Sequence, residues 1–134
     1  MAITGWLLHK SATSRIKDPK VDSQISKVSA RICVCEVGQL EQLYSARSAK
    51  DYDERLAALV RGYEILPAPP DLLKRTILLQ RDLAHHRGLW HRLSIPDLFM
   101  AETALYHNVG ILHVDRDFER IAEVRPLVTQ RLTV

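Results

Sequence analysis

The chain has 134 residues, of which 46% are hydrophobic and 26% are charged, a composition typical of one folded domain and unlike that of a disordered segment. The formal net charge of +3 permits a polyanionic partner without requiring one. No apolar run approaches the roughly 20 residues of a membrane span, and the first residues lack the pattern of a secretory signal, so we expect a cytoplasmic protein with no membrane partner. Cys33 and Cys35 lack neighbours at metal-finger spacing and are predicted to be reduced packing residues.

Strand and helix patterns alternate along the chain. Short apolar or β-branched runs predict strands at 4–8, 31–34, 64–66, 111–114 and 128–134. Helical spacing and capping residues predict helices at 11–16, 21–28, 36–44, 51–60, 72–85, 94–107 and within 115–124. This alternation predicts a single α/β domain over residues 1–134 with a central, mostly parallel sheet.

Two acidic residues follow the apolar run at 111–114. Asp115 and Asp117 stand where this strand leads directly into a helix, and open α/β sheets keep their ligand sites at that end of the strands. The alternative is purely structural, with Asp115 capping the helix and Asp117 favoured by the helix dipole. Residue pattern alone leaves both interpretations open.

Two further acids stand near predicted helix starts or on an apolar stripe. Asp97 follows a Ser-Ile-Pro helix start, and Glu41 shares a stripe with Leu40 and Tyr44 that we predict to face inward. An inward carboxylate is costly unless it is paired, hydrated or bound to a cation. Clustered carboxylate oxygens suit a hard divalent cation, which can orient a water and neutralise charge on a phosphodiester.

Four blocks of sequence carry a resemblance to a known family. They are Leu-Leu-His-Lys-Ser-Ala at 7–12, Leu-Glu-Gln-Leu-Tyr-Ser-Ala-Arg-Ser at 40–48, Ile-Pro-Asp-Leu at 95–98 and Leu-His-Val-Asp-Arg-Asp-Phe-Glu-Arg-Ile-Ala at 112–122. In these blocks the chain resembles a PIN-domain ribonuclease of the VapC toxin type over nearly its whole length. The resemblance implies a three-layer α/β/α sandwich and the toxin of a type II toxin–antitoxin system, a metal-dependent endoribonuclease that cuts cellular RNA. It also implies a homodimer and a cognate VapB-type antitoxin.

The same resemblance assigns the site residues. Glu41, Asp97 and Asp115 fall on the family's acidic positions, and Asp117 matches its supplementary acid. Ser11 is implied to be a polar neighbour of the metal and of the substrate. The implied cofactor is Mg²⁺, with Mn²⁺ as an alternative, and the implied nucleophile is a metal-oriented water, since no serine or cysteine shows a convincing base partner in the sequence.

One position departs from the family pattern. Where the family has its first metal-binding aspartate, this chain has His9. Neutral imidazole binds Mg²⁺ poorly and suits Mn²⁺, Zn²⁺ or other transition ions better. We therefore predict weaker Mg²⁺ binding and reduced or absent cleavage relative to a His9→Asp variant. The alternative function is a catalytically inactive PIN-fold protein that acts as an antitoxin-binding or regulatory partner.

The segment 86–93 combines cationic side chains with a large aromatic ring. Arg87 and Arg92 flank Trp90, an arrangement that favours phosphate contacts and base stacking on single-stranded RNA. A surface loop or an antitoxin contact, with the ring partly in the core, is the alternative. The His85-His86 pair is expected at a surface helix end, and His113 is expected to pack within its strand.

Overall fold

A parallel sheet occupies the centre of the molecule. The computed structural model describes residues 2–28 and 31–134, and within them the sheet has five strands. These are β1 (Gly5–Leu8), β2 (Arg31–Cys35), β3 (Glu64–Leu66), β4 (Gly110–His113) and β5 (Thr129–Arg131). The spatial order is β3-β2-β1-β4-β5, and every neighbouring pair is parallel. The predicted α/β class with a parallel sheet is confirmed, while Met1, Ser29 and Ala30 of the predicted 1–134 domain lie outside the described residues.

Helices connect the strands. They are α1 (Lys10–Thr13), α2 (Pro19–Lys27), α3 (Glu36–Tyr44), α4 (Ala49–Gly62), α5 (Leu72–His86), α6 (Ile95–His107) and α7 (Asp117–Ile121). A 3₁₀ turn at Trp90–Arg92 follows α5, where a loop was predicted. Helix α4 begins before the predicted position because the Ser48 hydroxyl accepts the Asp51 N–H at 3.0 Å and caps it.

The sheet is covered on both faces. Adjacent residues of β1 point to opposite sides, so Leu7 packs in one core cluster and Leu8 in the other. Leu79 of α5 and Leu98 of α6 cover the first face, whereas Val21 of α2 belongs to the second cluster. The three-layer α/β/α arrangement is therefore confirmed.

The order of the strands brings two strand ends together at the middle of the sheet. Strand β1 pairs with β2 on one side and with β4 on the other, with Leu8 opposite Leu112. The chain leaves both strands at the same edge, and the His9 N–H still donates to the Leu112 carbonyl at 3.0 Å. Residues that directly follow β1 and β4 are thus neighbours, at the position where parallel sheets place ligand sites.

The prediction that Leu40 and Tyr44 lie on an inward face of α3 was wrong. Leu40 is 67% exposed and Tyr44 91% exposed, while Gly38 and Leu43 are the buried residues of this helix. The Cys35 sulfur accepts the Gly38 N–H at 3.3 Å and caps α3, and a Cβ atom at Gly38 would lie 3.3 Å from Met100, so this side of the helix packs closely against the core. Glu41 is nevertheless largely enclosed, with 11% of its side chain exposed.

Cys33 and Cys35 are buried and free, as predicted, and both lie in the core cluster that contains Leu7. Burial raises the pKa of the Cys35 thiol to about 11, so this thiol is protonated and unreactive. Within residues 2–28 and 31–134, none of the helices combines the length and apolar character needed to cross a bilayer.

Candidate metal centre

His9 lies at the centre of a group of acidic side chains. It follows β1 directly and is only 2% exposed. Its Nε2 atom is 2.9 Å from Asp97 Oδ1 and 4.0 Å from Glu41 Oε1, and its Nδ1 atom is 3.8 Å from Asp115 Oδ2. The edge of the imidazole meets the Phe118 ring at a centroid distance of 4.9 Å. The ring is therefore held by polar contacts on one side and by an aromatic contact on another.

Asp97 reaches the site from the first turn of α6. The Ser94 hydroxyl caps this helix by accepting the Asp97 N–H at 3.2 Å, and Pro96 is accommodated in the first turn, where no intrahelical N–H bond is needed. The local sequence therefore fixes both the start of the helix and the position of the carboxylate, which is 5% exposed.

Asp115 performs two tasks with its two oxygens. Its Oδ1 accepts the Asp117 N–H at 3.1 Å, while the N-cap of α7 is Arg116, so the predicted cap at Asp115 was one residue too early. Its Oδ2 faces His9. A hydrogen bond to the backbone at the start of α7 and membership of the acidic group are thus compatible at this residue.

Asp117 borders the group through Asp115. Burial raises the pKa of the Asp117 carboxyl, and the nearby charges of Asp115 and Asp97 raise it further. These shifts show that its negative charge is poorly compensated by the described residues around it. The Asp117 carboxylate is not one of the three groups, His9, Asp97 and Asp115, whose ligand atoms all lie within 4.8 Å of one another.

Glu41 and Lys10 form an ion pair at the edge of the group. Lys10 Nζ lies 3.0 Å from Glu41 Oε2, and this hydrogen bond together with the negative charge raises the pKa of the ammonium. The second oxygen, Glu41 Oε1, is buried and has no hydrogen-bond partner among the described residues. An orphaned buried carboxylate oxygen is costly, so a further cation beside it would stabilise the site.

The donor atoms fit a divalent cation. Among the described residues, one ligand atom each from His9, Asp97 and Asp115 lies within 4.8 Å of the other two. One imidazole nitrogen and two carboxylate oxygens, with Glu41 Oε1 close by, are ligands that first-row transition ions accept readily and Mg²⁺ accepts in part. The structure therefore brings His9, Asp97, Asp115 and Glu41 together, with Asp117 adjacent.

Ser11 contacts the other side of the imidazole. Its hydroxyl Oγ is 2.8 Å from His9 Nδ1, and its backbone N–H donates to the same nitrogen at 3.2 Å. The Oγ atom also accepts the Val114 N–H at 2.9 Å, which links the ends of β1 and β4. The expectation that no serine has a base partner was wrong, because the turn after β1 folds Ser11 back onto His9. The spacing His-x-Ser at a strand-to-helix junction is the sequence signal for this contact.

A cationic groove adjoins the acidic group and was missed from the sequence. It encloses about 800 Å³ between α1, α3 and α4, and Glu41 is part of its wall. Lys10, Arg15, Lys17 and Arg55 contribute positive charge to its lining. The close spacing of three of these residues directly after β1 was the available signal, and this position suits a polyanion that approaches the site.

The residues of the predicted RNA-contacting loop do not join the acidic group. The Arg87 and Arg120 guanidiniums lie over the Trp90 ring at 5.3 and 5.4 Å, and Trp90 packs against the core. Arg87 also lies 3.6 Å from Glu123, whereas Arg92 is exposed on the 3₁₀ turn. The ring is therefore engaged within the fold, and RNA contact by the two arginines stays a prediction.

The remaining predicted histidines have local partners or lie in the interior. His86 Nε2 lies 3.0 Å from Glu123 at the end of α5. His113 is fully buried and tilted against Phe118 at 5.2 Å, and burial lowers the pKa of its imidazole. His113 thus packs within β4, as predicted.

Sequence comparison places the chain among known proteins. The PIN domain family matches residues 6–124. Ribonuclease VapC17 of Mycobacterium tuberculosis is 52% identical over 127 residues, which cover 92% of each chain. Ribonuclease VapC18 of the same organism is 38% identical over 95 residues, covering 70% of this chain and 69% of that protein.

Solved structures have the same fold at low sequence identity. The VapBC2 structure from Rickettsia felis, bound to a DNA fragment from its promoter, matches with a TM-score of 0.77 at 14% identity and covers 96% of this chain and 98% of that chain. The VapBC-5 structure from Mycobacterium tuberculosis matches with a TM-score of 0.68 at 22% identity, covering 96% and 99%. From the family match and the sequence relatives, the chain belongs to the PIN-domain family, among relatives named VapC ribonucleases.

Proposed function

We propose that the chain is the toxin of a type II toxin–antitoxin pair and acts as a divalent-cation-dependent endoribonuclease on cellular RNA. The observation that carries this proposal is the convergence of His9, Asp97 and Asp115 at the ends of β1 and β4, in a chain 52% identical to a ribonuclease. The inactive, antitoxin-binding alternative is not favoured, because the relatives are named as enzymes.

Asp97, Asp115 and His9 would hold the cation, with Glu41 and Asp117 beside them. When bound, Mg²⁺ or Mn²⁺ supplies an acidified, oriented water and neutralises charge on the scissile phosphate. Mg²⁺ is the cation that the family resemblance implies, and the imidazole favours Mn²⁺ over it.

The chain's own side chains then position the reactants. Glu41 holds the Lys10 ammonium at the mouth of the site, where Lys10 is 54% exposed and can contact a phosphate oxygen. The cationic groove continues from this point, so an RNA strand that follows it brings a phosphodiester past the acidic group. The Asp117 N–H fixes one oxygen of Asp115 and leaves the other directed at the site.

The partners follow from the relatives and from the surface. The VapBC structures that share this fold support a VapB-type antitoxin as the partner that restrains the toxin. Exposed apolar side chains of Leu40, Tyr44 and Ile95 support a homodimer, because a large apolar area beside the site favours burial by a second chain. Sedimentation at micromolar concentration tests the dimer directly.

Cleavage of a fluorescent single-stranded RNA by the full chain tests the proposed function. We expect cleavage with Mn²⁺, loss of cleavage on chelation, and loss again in Asp97→Asn. Asp53→Asn is the matched control, since it makes the same chemical change at an exposed position on α4. Tight binding of a VapB-type antitoxin without cleavage in Mg²⁺, Mn²⁺ or Zn²⁺ would instead identify the inactive binding protein.

A further inference from the structure

The hydrogen bonds around His9 determine which ring nitrogen carries the proton. The Ser11 backbone N–H donates to Nδ1, so Nδ1 presents a lone pair and carries no proton. The ring proton is therefore on Nε2, which donates to Asp97 Oδ1 at 2.9 Å. In this tautomer Nε2 has no lone pair to offer a cation, although it is the nitrogen that faces Asp97 and Glu41.

The Ser11 hydroxyl is suited to the opposite tautomer. Its Oγ accepts the Val114 N–H with one lone pair and lies 2.8 Å from His9 Nδ1. A hydroxyl can donate a hydrogen bond to a bare nitrogen or accept one from an N–H, whereas the backbone N–H of Ser11 can only donate. Ser11 Oγ can therefore support a proton on Nδ1, provided that the Ser11 backbone N–H gives up its contact with that nitrogen.

We propose that Ser11 is a positioning residue that turns His9 into a nitrogen ligand. This inference rests on the proposed function. The proton leaves Nε2 and one proton is placed on Nδ1, where Ser11 Oγ accepts its hydrogen bond, so the ring remains neutral. Asp97 exchanges its hydrogen bond from Nε2 for contact with the cation. The resulting set of one nitrogen and two oxygens takes a first-row transition ion, Zn²⁺ or Mn²⁺, in preference to Mg²⁺.

The physical basis is the orientation of ligands by groups behind them. A histidine ligand usually donates its second ring N–H to an oxygen, which fixes the tautomer and raises the basicity of the coordinating nitrogen. Loss of such a partner typically weakens metal binding by about 10–100-fold. The Ser11 hydroxyl can fix a tautomer only where residue 9 is an imidazole. Removal of this hydroxyl is therefore expected to change metal affinity little when residue 9 is an aspartate.

Calorimetric titration of the metal-free full chain with Mg²⁺, Mn²⁺ or Zn²⁺ tests the proposal. We expect Zn²⁺ and Mn²⁺ to bind at least about tenfold more tightly than Mg²⁺. Ser11→Ala should weaken Zn²⁺ binding by about 10–100-fold. Ser14→Ala, the same change at an exposed position after α1, should leave affinity unchanged, and Ser11→Thr should retain it because the hydroxyl remains.

The His9→Asp background separates positioning from a general structural effect. In that background we expect tighter Mg²⁺ binding and little additional effect of Ser11→Ala. An equal loss in both backgrounds would assign the effect to the Val114 contact and overturn the proposal. Ring ¹⁵N NMR of the wild-type chain gives a readout independent of folding in the variants. It should show the proton on Nε2 without metal and on Nδ1 with Zn²⁺, and unchanged ring shifts on Zn²⁺ addition contradict the proposal.

Two outcomes separate the role of Ser11 from the proposed metal centre. Mg²⁺ binding as tight as Zn²⁺ binding would overturn the role of Ser11 and His9 in cation choice while leaving the proposed ribonuclease intact. Failure of both the wild-type chain and His9→Asp to bind any of the three cations would overturn the proposed metal centre as well.

Discussion

Helix α6 carries two buried carboxylates whose surroundings differ. Asp97 is 5% exposed and Glu102 is 4% exposed. Glu102 faces two guanidiniums, with Arg75 at 4.0 Å and Arg125 at 3.7 Å, although its buried Oε2 makes no hydrogen bond to the described residues. Asp97 instead lies 2.9 Å from His9 Nε2 and beside other carboxylates.

The difference separates an acid that serves the fold from one that can serve a ligand. Around Glu102 the fold supplies the positive charge, and the ion pairs tie α6 to α5 and to the segment after α7. Around Asp97 the described contacts give the acidic group one lysine, Lys10, which is paired with Glu41. A cluster of several carboxylates that shares one lysine is a better guide to a cation site than burial of a single acid.

The strongest test of this comparison is Asp97→Asn. We expect RNA cleavage to fall by about 100-fold or more, since a charge that stabilises the reaction is removed at constant shape. The free energy of unfolding without metal should change by less than about 1 kcal/mol, because the amide oxygen can still accept from His9 while repulsion between carboxylates falls. Cleavage rates and urea denaturation measure the two quantities. A large loss of stability with retained cleavage would reverse the roles assigned to the two acids.

Arg125→Ala should show the opposite pattern. It leaves Glu102 buried with one remaining guanidinium and also removes the 2.8 Å ion pair with the partly exposed Asp82. We expect destabilisation by about 2 kcal/mol, mostly from Glu102, and less than for a fully unpaired buried charge because Arg75 remains. Metal binding should be unchanged. Arg81→Ala, an exposed arginine of α5, is the control, and equal destabilisation by both changes would contradict the role of the ion pair.

The pH dependence of stability sharpens the same contrast. Burial raises the pKa of Glu102, although Arg125 and Arg75 lower it. A carboxyl with a raised folded-state pKa binds more protons in the folded than in the unfolded state, so its contribution to stability falls as pH rises from 4.5 through the folded pKa. The destabilisation caused by Arg125→Ala should therefore be greatest at neutral pH and shrink in acid. Urea denaturation at pH 4 and pH 7 checks the sign.

His9→Asp addresses the cation preference of the acidic group. We expect Mg²⁺-supported cleavage to rise by about tenfold, because a carboxylate replaces a softer nitrogen and adds negative charge. Cleavage assays of both chains across Mg²⁺ and Mn²⁺ concentrations measure this. Equal activity of the two chains in Mg²⁺ would contradict the prediction.

The smallest effect is expected from the arginines of the 86–93 segment. Arg87→Ala combined with Arg92→Ala should weaken RNA binding by about threefold and reduce the salt slope by about 1.4, since each of the two lost phosphate contacts in single-stranded RNA lowers that slope by about 0.7. The control variant, Lys74→Ala with Arg81→Ala, removes the same charge from α5, outside the 86–93 segment. If the Arg87→Ala, Arg92→Ala variant has the same RNA affinity and salt slope as this control, the proposed RNA contact is contradicted.

The fold was accessible from sequence because its signals are local. The run before Asp115 and the Ser-Ile-Pro start before Asp97 each define one junction, and the alternation of elements gives the parallel sheet. Parallel strands then place those junctions at one edge, so the neighbourhood of the acids was predictable in outline. The side of α3 that faces inward was not, because an apolar stripe with Leu40 and Tyr44 does not distinguish a core from an exposed surface.

The details of the site depend on contacts between distant segments. The Lys10–Glu41 pair and the guanidiniums around Glu102 join different helices, and no spacing rule relates them. The Ser11–His9 contact is local, but its second link to Val114 depends on the pairing of β1 with β4. The sequence therefore indicated which residues lie near one another, and the structure showed which of their atoms form hydrogen bonds and ion pairs.

Strand β1 is bordered on both sides, and the backbone at His9 remains bonded to the neighbouring strand through Leu112. The main chain at this position is therefore fixed by the sheet, independently of the side chain it carries. Exchange between carboxylate and imidazole here alters the chemistry of the pocket while the scaffold stays in place. If the proposed metal centre is correct, one substitution at position 9 would therefore change the preferred cation without rebuilding the surrounding protein.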